Sequence, residues 1–331
     1  MAAASRIRWK PDPALSTIHA AYAVAVGAAC TDEKLERALV PHATQINERL
    51  LSAALDMHRF WSGLVAQSIH ADAVDKACET ALIAAGCSEL QADQTSRAIV
   101  RQLDECRIVL SERFPRLSDQ LELRSRPLKQ RWDSVGRGLL NQIAKQIWGD
   151  SPPSNWWPAN VDGLWVQPLR GGDGGFATDN PTADNPAGKT PAIWIEAMLT
   201  DAESSVPEVV RVAWLMTRVA IEHHIAEKSL TSKPGDSTFG RPLSLLSAWA
   251  FGSVPLVLRA AAELDLTPRE ALPIATATRL WRLSEAAIAG DLVSRWWDQL
   301  EAHPVPLPVA LKSLSQQIEE NNLVTPPVDR M

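Results

Sequence analysis

His223, His224 and Glu227 are the residues in this chain most suited to holding a metal ion. His223 and Glu227 are four apart, so on a helix both face one side and reach one ion. The run His224-Ile225-Ala226-Glu227-Lys228 falls one residue short of the inverted zinc pattern His-x-x-Glu-His, with Lys228 where a ligand should stand. A zinc site wants three or four ligands, and no further partner is evident. A competing reading makes His224 a core residue. At about 100° per residue it lies about 160° from Glu222, on the inward side of the helix, with His223 at the border.

Other residue groups point to weaker chemistry. The loop Arg170-Gly171-Gly172-Asp173-Gly174-Gly175 has the glycine content to cradle an anion, but it lacks the Walker lysine and opens no helix. The bland alternative is a flexible connector. Asp173, Asp179 and Asp184 are oxygen ligands without EF-hand spacing. Cys106 and the distant His58 would be a thiol–imidazole pair only if the fold joined them, and a structural thiol is the simpler reading. No G-x-S-x-G elbow is present. No complete catalytic motif emerges, and no cofactor is expected. Trp156-Trp157 in a Pro-rich loop and Trp296-Trp297 on a helix are candidate surface anchors. Adjacent helical side chains point about 100° apart, so one of the second pair is expected at the surface.

These residues need a scaffold, and hydrophobic periodicity supplies a mostly helical one. Asp12-Pro13 reads as an N-cap with Pro in the first turn. Helical patterns then run to about residue 113, punctuated by Pro41, Gly86 and Pro115, with no convincing strand. Arg6, Arg8 and Lys10 ahead of the apolar stretch Ala20–Cys30 also resemble a signal peptide, but Asp12, Pro13, Ser16, Thr17 and His19 interrupt it and favour an ordinary first helix. Short strands are expected at Leu164–Pro168 and Ala192–Met198, joined by the long Gly/Asp/Asn/Pro segment Arg170–Pro191. Ser205-Val206-Pro207-Glu208 should then start a helix running to about Glu227. On that helix Glu208, Arg211, Arg218 and Glu222 share one narrow face. Apolar residues cover nearly all the rest, as befits a buried central helix. More helices follow, with Pro273 forcing a kink or a late start.

Composition bounds the class. The chain has 331 residues with 46% apolar and 22% charged content, which excludes a disordered or coiled-coil chain. The net charge of −6 disfavours a general nucleic-acid binder. No stretch approaches the length a membrane span needs. Four cysteines without zinc or redox spacing fit reduced thiols in the cytoplasm. Of 19 aromatics 13 are Trp, and residues 1–131 hold only Trp9 and Trp61 and three Gly. That shift divides the chain into a helical domain, 1–120, and a Trp-rich, mostly helical domain, 121–331, with two short strands near 164–198. The basic run Arg126, Lys129, Arg131 and Arg137 is best taken as a solvated face.

The strand-then-capped-helix run from Ile193 to His224 resembles the core of zincin-type metallopeptidases, in which such a helix carries His-Glu-x-x-His. Here Val212-Ala213-Trp214-Leu215-Met216-Thr217 stands in its place, so the resemblance implies a scaffold without the catalytic metal. Arg126–Trp132 and Pro207–Trp214 resemble an uncharacterised bacterial protein family, which implies no function. The expectation is therefore a mainly α fold: a helical N-terminal domain plus an α+β C-terminal domain with a small β element. It is expected to serve as a non-catalytic module for an unknown protein partner. The alternative is a zincin-like metallohydrolase, or a degenerate metal-free relative, centred on residues 193–227.

Overall fold

The computed structural model describes residues 5–71, 73–178, 190–231, 242–284 and 286–323, with the backbone alone at 226–231 and 242–245. The fold is mainly α with a small β element: eleven helices and a four-stranded sheet among the described residues. The chain opens with a strand, β1 (Arg6–Pro11), and six helices follow: α1 (Pro13–Ala25), α2 (Glu33–Ser52), α3 (Met57–Ser68), α4 (Val74–Ala84), α5 (Glu89–Arg113) and α6 (Leu117–Trp148). Next come β2 (Asn160–Val166), β3 (Gly174–Ala177), β4 (Ala192–Glu196) and α7 (Glu208–Thr231). The chain continues through α8 (Pro242–Ala262), α9 (Ile274–Leu280), α10 (Ile288–Ala302) and α11 (Leu307–Glu320).

Local chemistry explains most of the boundaries. Asp12 caps α1 by accepting the Leu15 N–H at 2.8 Å, and Asp32 caps α2 through Lys34 and Leu35. Pro41 and Pro127 lie inside α2 and α6, where packing of an apolar stripe outweighs the lost backbone bond. The composition shift near residue 120 therefore falls within α6. Ser205 does not cap α7. Instead the Glu208 N–H donates to the Asp201 carboxylate at 2.8 Å, leaving α7 to begin at Glu208. Pro273 produces the late start, with α9 beginning at Ile274. No helix among the described residues is long and apolar enough to cross a membrane.

The sheet corrects the expectation of two strands. Its order is β1-β2-β4-β3, with β1, β2 and β4 parallel and β3 antiparallel at the edge. β1 was hidden because its alternation of Arg6, Arg8 and Lys10 with Ile7, Trp9 and Pro11 is that of a half-exposed edge strand, too short to separate from a charged leader. Gly163 makes its docking possible. A Cβ there would lie 2.2 Å from Trp9 Cε3, and Trp9 instead stacks on Trp165 with centroids 4.2 Å apart. One apolar cluster runs from Leu15 and Ile18 through Val166, Ile195 and Val212 to Leu314 and Leu323.

Candidate ligand cavity

The site is built around a buried carboxylate. β4 ends on Glu196, which is fully buried. Its Oε1 accepts the N–H groups of Leu169 and Arg170, both at 2.8 Å, and the His19 Nε2 proton at 2.9 Å. Its Oε2 accepts the Gly172 N–H at 2.7 Å. Burial alone would push this carboxyl up. The His19 contact and the backbone donors outweigh it and hold the group below the usual carboxylate range. The anion cradled by the glycine-rich loop is thus the protein's own, and residues 170–178 are no loose connector. Gly171 (φ 71°) and Gly172 (φ 104°) supply the left-handed turns that aim these N–H groups at Glu196.

The loop so fixed presents Arg170 and Asp173 to a cavity of about 730 Å³. α1 and α3 contribute Tyr22 and His58, β3 and β4 contribute Phe176 and Trp194, and α7 contributes Trp214, Arg218 and Glu222. The far wall comes from α8 and from the segment Arg279–Leu283. Arg170 Nη1 donates to Asp173 Oδ2 at 3.0 Å, and Arg282 Nε lies 3.4 Å from the same oxygen. Arg282 Nη2 also donates to the Arg170 carbonyl at 3.0 Å. Arg218 Nη2 donates to Glu222 Oε1 at 3.2 Å, while its guanidinium carbon lies over the rings of Phe176 (5.2 Å) and Trp214 (6.0 Å). Among the lining side chains four guanidiniums, Arg170, Arg218, Arg282 and the exposed Arg279, thus stand against two carboxylates, Asp173 and Glu222, with the buried Glu196 carboxylate behind the loop also acting on Arg282. Burial lowers the Arg218 and Arg282 guanidiniums from their ordinary value, opposed by Glu222 and Asp173 respectively. The Nε groups of Arg170 and Arg218 and the Trp281 indole N–H are buried without an acceptor. Such a wall attracts an anion and offers aromatic faces beside it.

The residues singled out from sequence lie mostly elsewhere. His224 stacks on Trp156, with centroids 4.9 Å apart and planes 11° apart, and its Nε2 lies 3.2 Å from the carbonyls of Asn155 and Trp156. A ring nitrogen donating to a carbonyl has no lone pair for a metal. His223 is half-buried beside it, and the Glu227 side chain lies outside the described residues. No group of three metal-ligating side chains suited to an ion occurs among the described residues. Asp179 and Asp184 also lie outside them, and Asp173 is committed to guanidiniums. Burial pushes the Cys106 thiol up to about 12, an inert form, while His58 stands at the cavity.

The four tryptophans proposed as anchors are not displayed. Trp156, Trp296 and Trp297 are buried, and Trp157 is half-buried. α10 is covered on more than one face, by α8, α9 and α11, so a 100° separation exposes neither of its indoles. Trp296 Nε1 donates to the Ala310 carbonyl at 3.0 Å. The sequence signal nearest to this cavity was the stripe Glu208, Arg211, Arg218 and Glu222 on α7, of which Arg218 and Glu222 line it. Glu208, Arg211 and Arg218 are buried, and the stripe forms two ion pairs, Glu208–Arg211 at 3.0 Å and Arg218–Glu222 at 3.2 Å. α7 does follow β4, but the residues at four-residue spacing that it turns toward the cavity are Trp214, Arg218 and Glu222, where a zincin helix would present two histidines. Comparison with protein-family models, curated proteins and solved structures gives no match.

Proposed function

We propose that this protein is a non-catalytic binder of a small organic anion, held in the cavity between α1, α3, β3 and α7. The observation that carries the reading is the surplus of guanidinium over carboxylate in a half-apolar cavity of about 730 Å³, a size usual for small-molecule sites. A guanidinium fork reads carboxylate or phosphate oxygens in its own plane, and aromatic walls hold the carbon body. The binding role expected from sequence is kept, and the partner changes from a protein to a small molecule. A cytoplasmic location belongs to the same proposal, supported by four free thiols, three of them buried.

The test is thermal denaturation of the full chain against a panel of organic acids and their neutral amides. Selected acids should raise the melting temperature and the amides should not. Arg282→Gln should abolish the rise. Stabilisation by amides as strong as by acids would reject the reading. The metallohydrolase alternative is supported by the β4–α7 order, and elemental analysis of protein purified without chelator decides it. Stoichiometric zinc would favour it over the binder.

A further inference from the structure

The sheet has two edges, and the cavity uses one of them. The order β1-β2-β4-β3 puts β3 at the cavity and β1 at the opposite edge, with no residue of β1 in the cavity wall. We infer that the outer edge of β1 accepts an extended acidic segment of another protein as an added strand, its carboxylates set opposite Arg6 and Lys10.

The backbone of β1 is used on one side only. The Arg6 N–H donates to the Ala159 carbonyl at 3.0 Å and the Asp12 N–H to the Trp165 carbonyl at 2.9 Å, and the parallel register runs unbroken between them. Successive residues of a strand turn their backbone groups to opposite sides, so Arg6, Arg8 and Lys10 bond β2 while Ile7, Trp9 and Pro11 face outward. The N–H groups of Ile7 and Trp9, and the carbonyls of Ile7, Trp9 and Pro11, have no hydrogen-bond partner among the described residues. Pro11 has no N–H to offer and closes the row. α6 packs on β1 and β2 alike, across the face they share rather than along the edge. Arg6, Arg8 and Lys10 are exposed, and Ile7, Trp9 and Pro11 are half-buried.

The occupant follows from the charges. On the paired side Arg8 stands in register with Asp162 and donates to it at 2.9 Å. Arg6 and Lys10 share that face but stand opposite Asn160 and Leu164, and neither has a carboxylate partner among the described residues. In a chain of net charge −6 this strand is a local concentration of positive charge. An antiparallel strand added outside would meet Arg6, Arg8 and Lys10 at its non-hydrogen-bonded positions, where facing side chains approach most closely. Acidic residues at alternate positions would make there the kind of pair that Asp162 makes with Arg8. The apolar residues between them would lie beside Ile7 and Trp9. A second copy's β1 would instead set like charges against each other. Backbone hydrogen bonds supply the affinity of such an addition, and the alternating charge supplies its selectivity.

The experiment is amide hydrogen exchange of the full chain, read at Ile7 and Trp9, with a short peptide of alternating glutamate and valine. The peptide should slow exchange at both amides. The same peptide N-methylated at its valines should give no protection, because those N–H groups are the ones that bond the edge, and a lysine–valine peptide should give none either. Arg6→Gln with Lys10→Gln should weaken the glutamate peptide roughly 2- to 30-fold in calorimetric titration, the worth of two cross-strand charge pairs. Arg6→Glu with Lys10→Glu should exchange the preference, admitting the lysine peptide and refusing the glutamate one, a reversal that loosening of the fold does not produce. Equal binding of the N-methylated peptide would mean attraction without strand addition and overturns the proposal. So does equal binding of the lysine peptide, or no protection at Ile7 and Trp9 by the glutamate peptide. Protection that grows with protein concentration in the absence of peptide would put a second copy on the edge and overturns the acidic partner.

Discussion

Glu196, at the end of β4, and Glu208, at the start of α7, are both buried beside the same glycine-rich loop, yet the protein treats them oppositely. Glu196 is met by three backbone N–H groups and His19, and its carboxyl is held below the ordinary range. Glu208 faces Arg211 at 3.0 Å without the alignment of a hydrogen bond. Burial, reinforced by Asp201, Glu196 and Asp173 and opposed by Arg211, pushes its carboxyl up. A nearby opposite charge is therefore a weaker host for a buried anion than a set of directed donors. Glu196 organises the loop, whereas Glu208 is tolerated beside it.

The largest expected effect is at Glu196. Glu196→Gln breaks the pair with His19 and the fit of three N–H donors, and should cost about 3–5 kcal/mol in urea unfolding. Its pH signature is as diagnostic as its size. Because the folded carboxyl sits below the unfolded one, its contribution is present above the unfolded value and is lost as pH falls through the folded one. The stability gap between the natural protein and Glu196→Gln should therefore shrink on acidification. A gap that does not change with pH would break the comparison.

Gly172→Ala comes next, at about 1–3 kcal/mol. Its φ of 104° disfavours any side chain, and the new Cβ would lie 2.8 Å from Glu208 Oε1. Guanidinium unfolding measures it, and the same variant should weaken ligand stabilisation because the loop carries Arg170. Glu208→Gln should cost less than Glu196→Gln, about 1–2 kcal/mol, since burial and the neighbouring Asp201, Glu196 and Asp173 already disfavour its charged form. Its pH dependence should run the other way. A raised folded carboxyl contributes fully below the unfolded value and loses that contribution as pH rises through the folded one, so the variant should lose least in mildly basic solution. The smallest effect is at an exposed pair: Arg37→Ala, breaking the Glu33 contact of 2.9 Å on α2, should shift stability by about 0.3–0.5 kcal/mol.

Legibility from sequence followed the same division. Caps such as Asp12, the helices of the first 113 residues, the strands near 164 and 192 and the late start at Ile274 are all local signals, readable from neighbours. The cavity is not local. It joins Tyr22, Arg170, Arg218 and Arg282, and nothing in their spacing says that they meet. The charged stripe on α7 was visible as a periodicity, but its meaning depended on Gly172 and Gly174 pressing close enough to bury it. A Cβ at either would lie under 3.0 Å from Glu208 Oε1 or the Trp194 carbonyl. The tryptophan pairs misled for a related reason. A helical angle says where a side chain points, and only the packing of α8, α9 and α11 says what it meets there.

The pairing of β1 with β2 also sets a timetable. Arg6 and Asn160 are register partners, so the first strand leaves the ribosome long before its template exists. At roughly 5–20 residues per second the wait is on the order of 8–30 s. Through that interval Trp9 has neither Trp165 to stack on nor Gly163 to lie over. The basic residues alternating with it are what keep a waiting strand from pairing with another nascent chain. The charge that masks β1 as a strand in the sequence is thus its protection during synthesis.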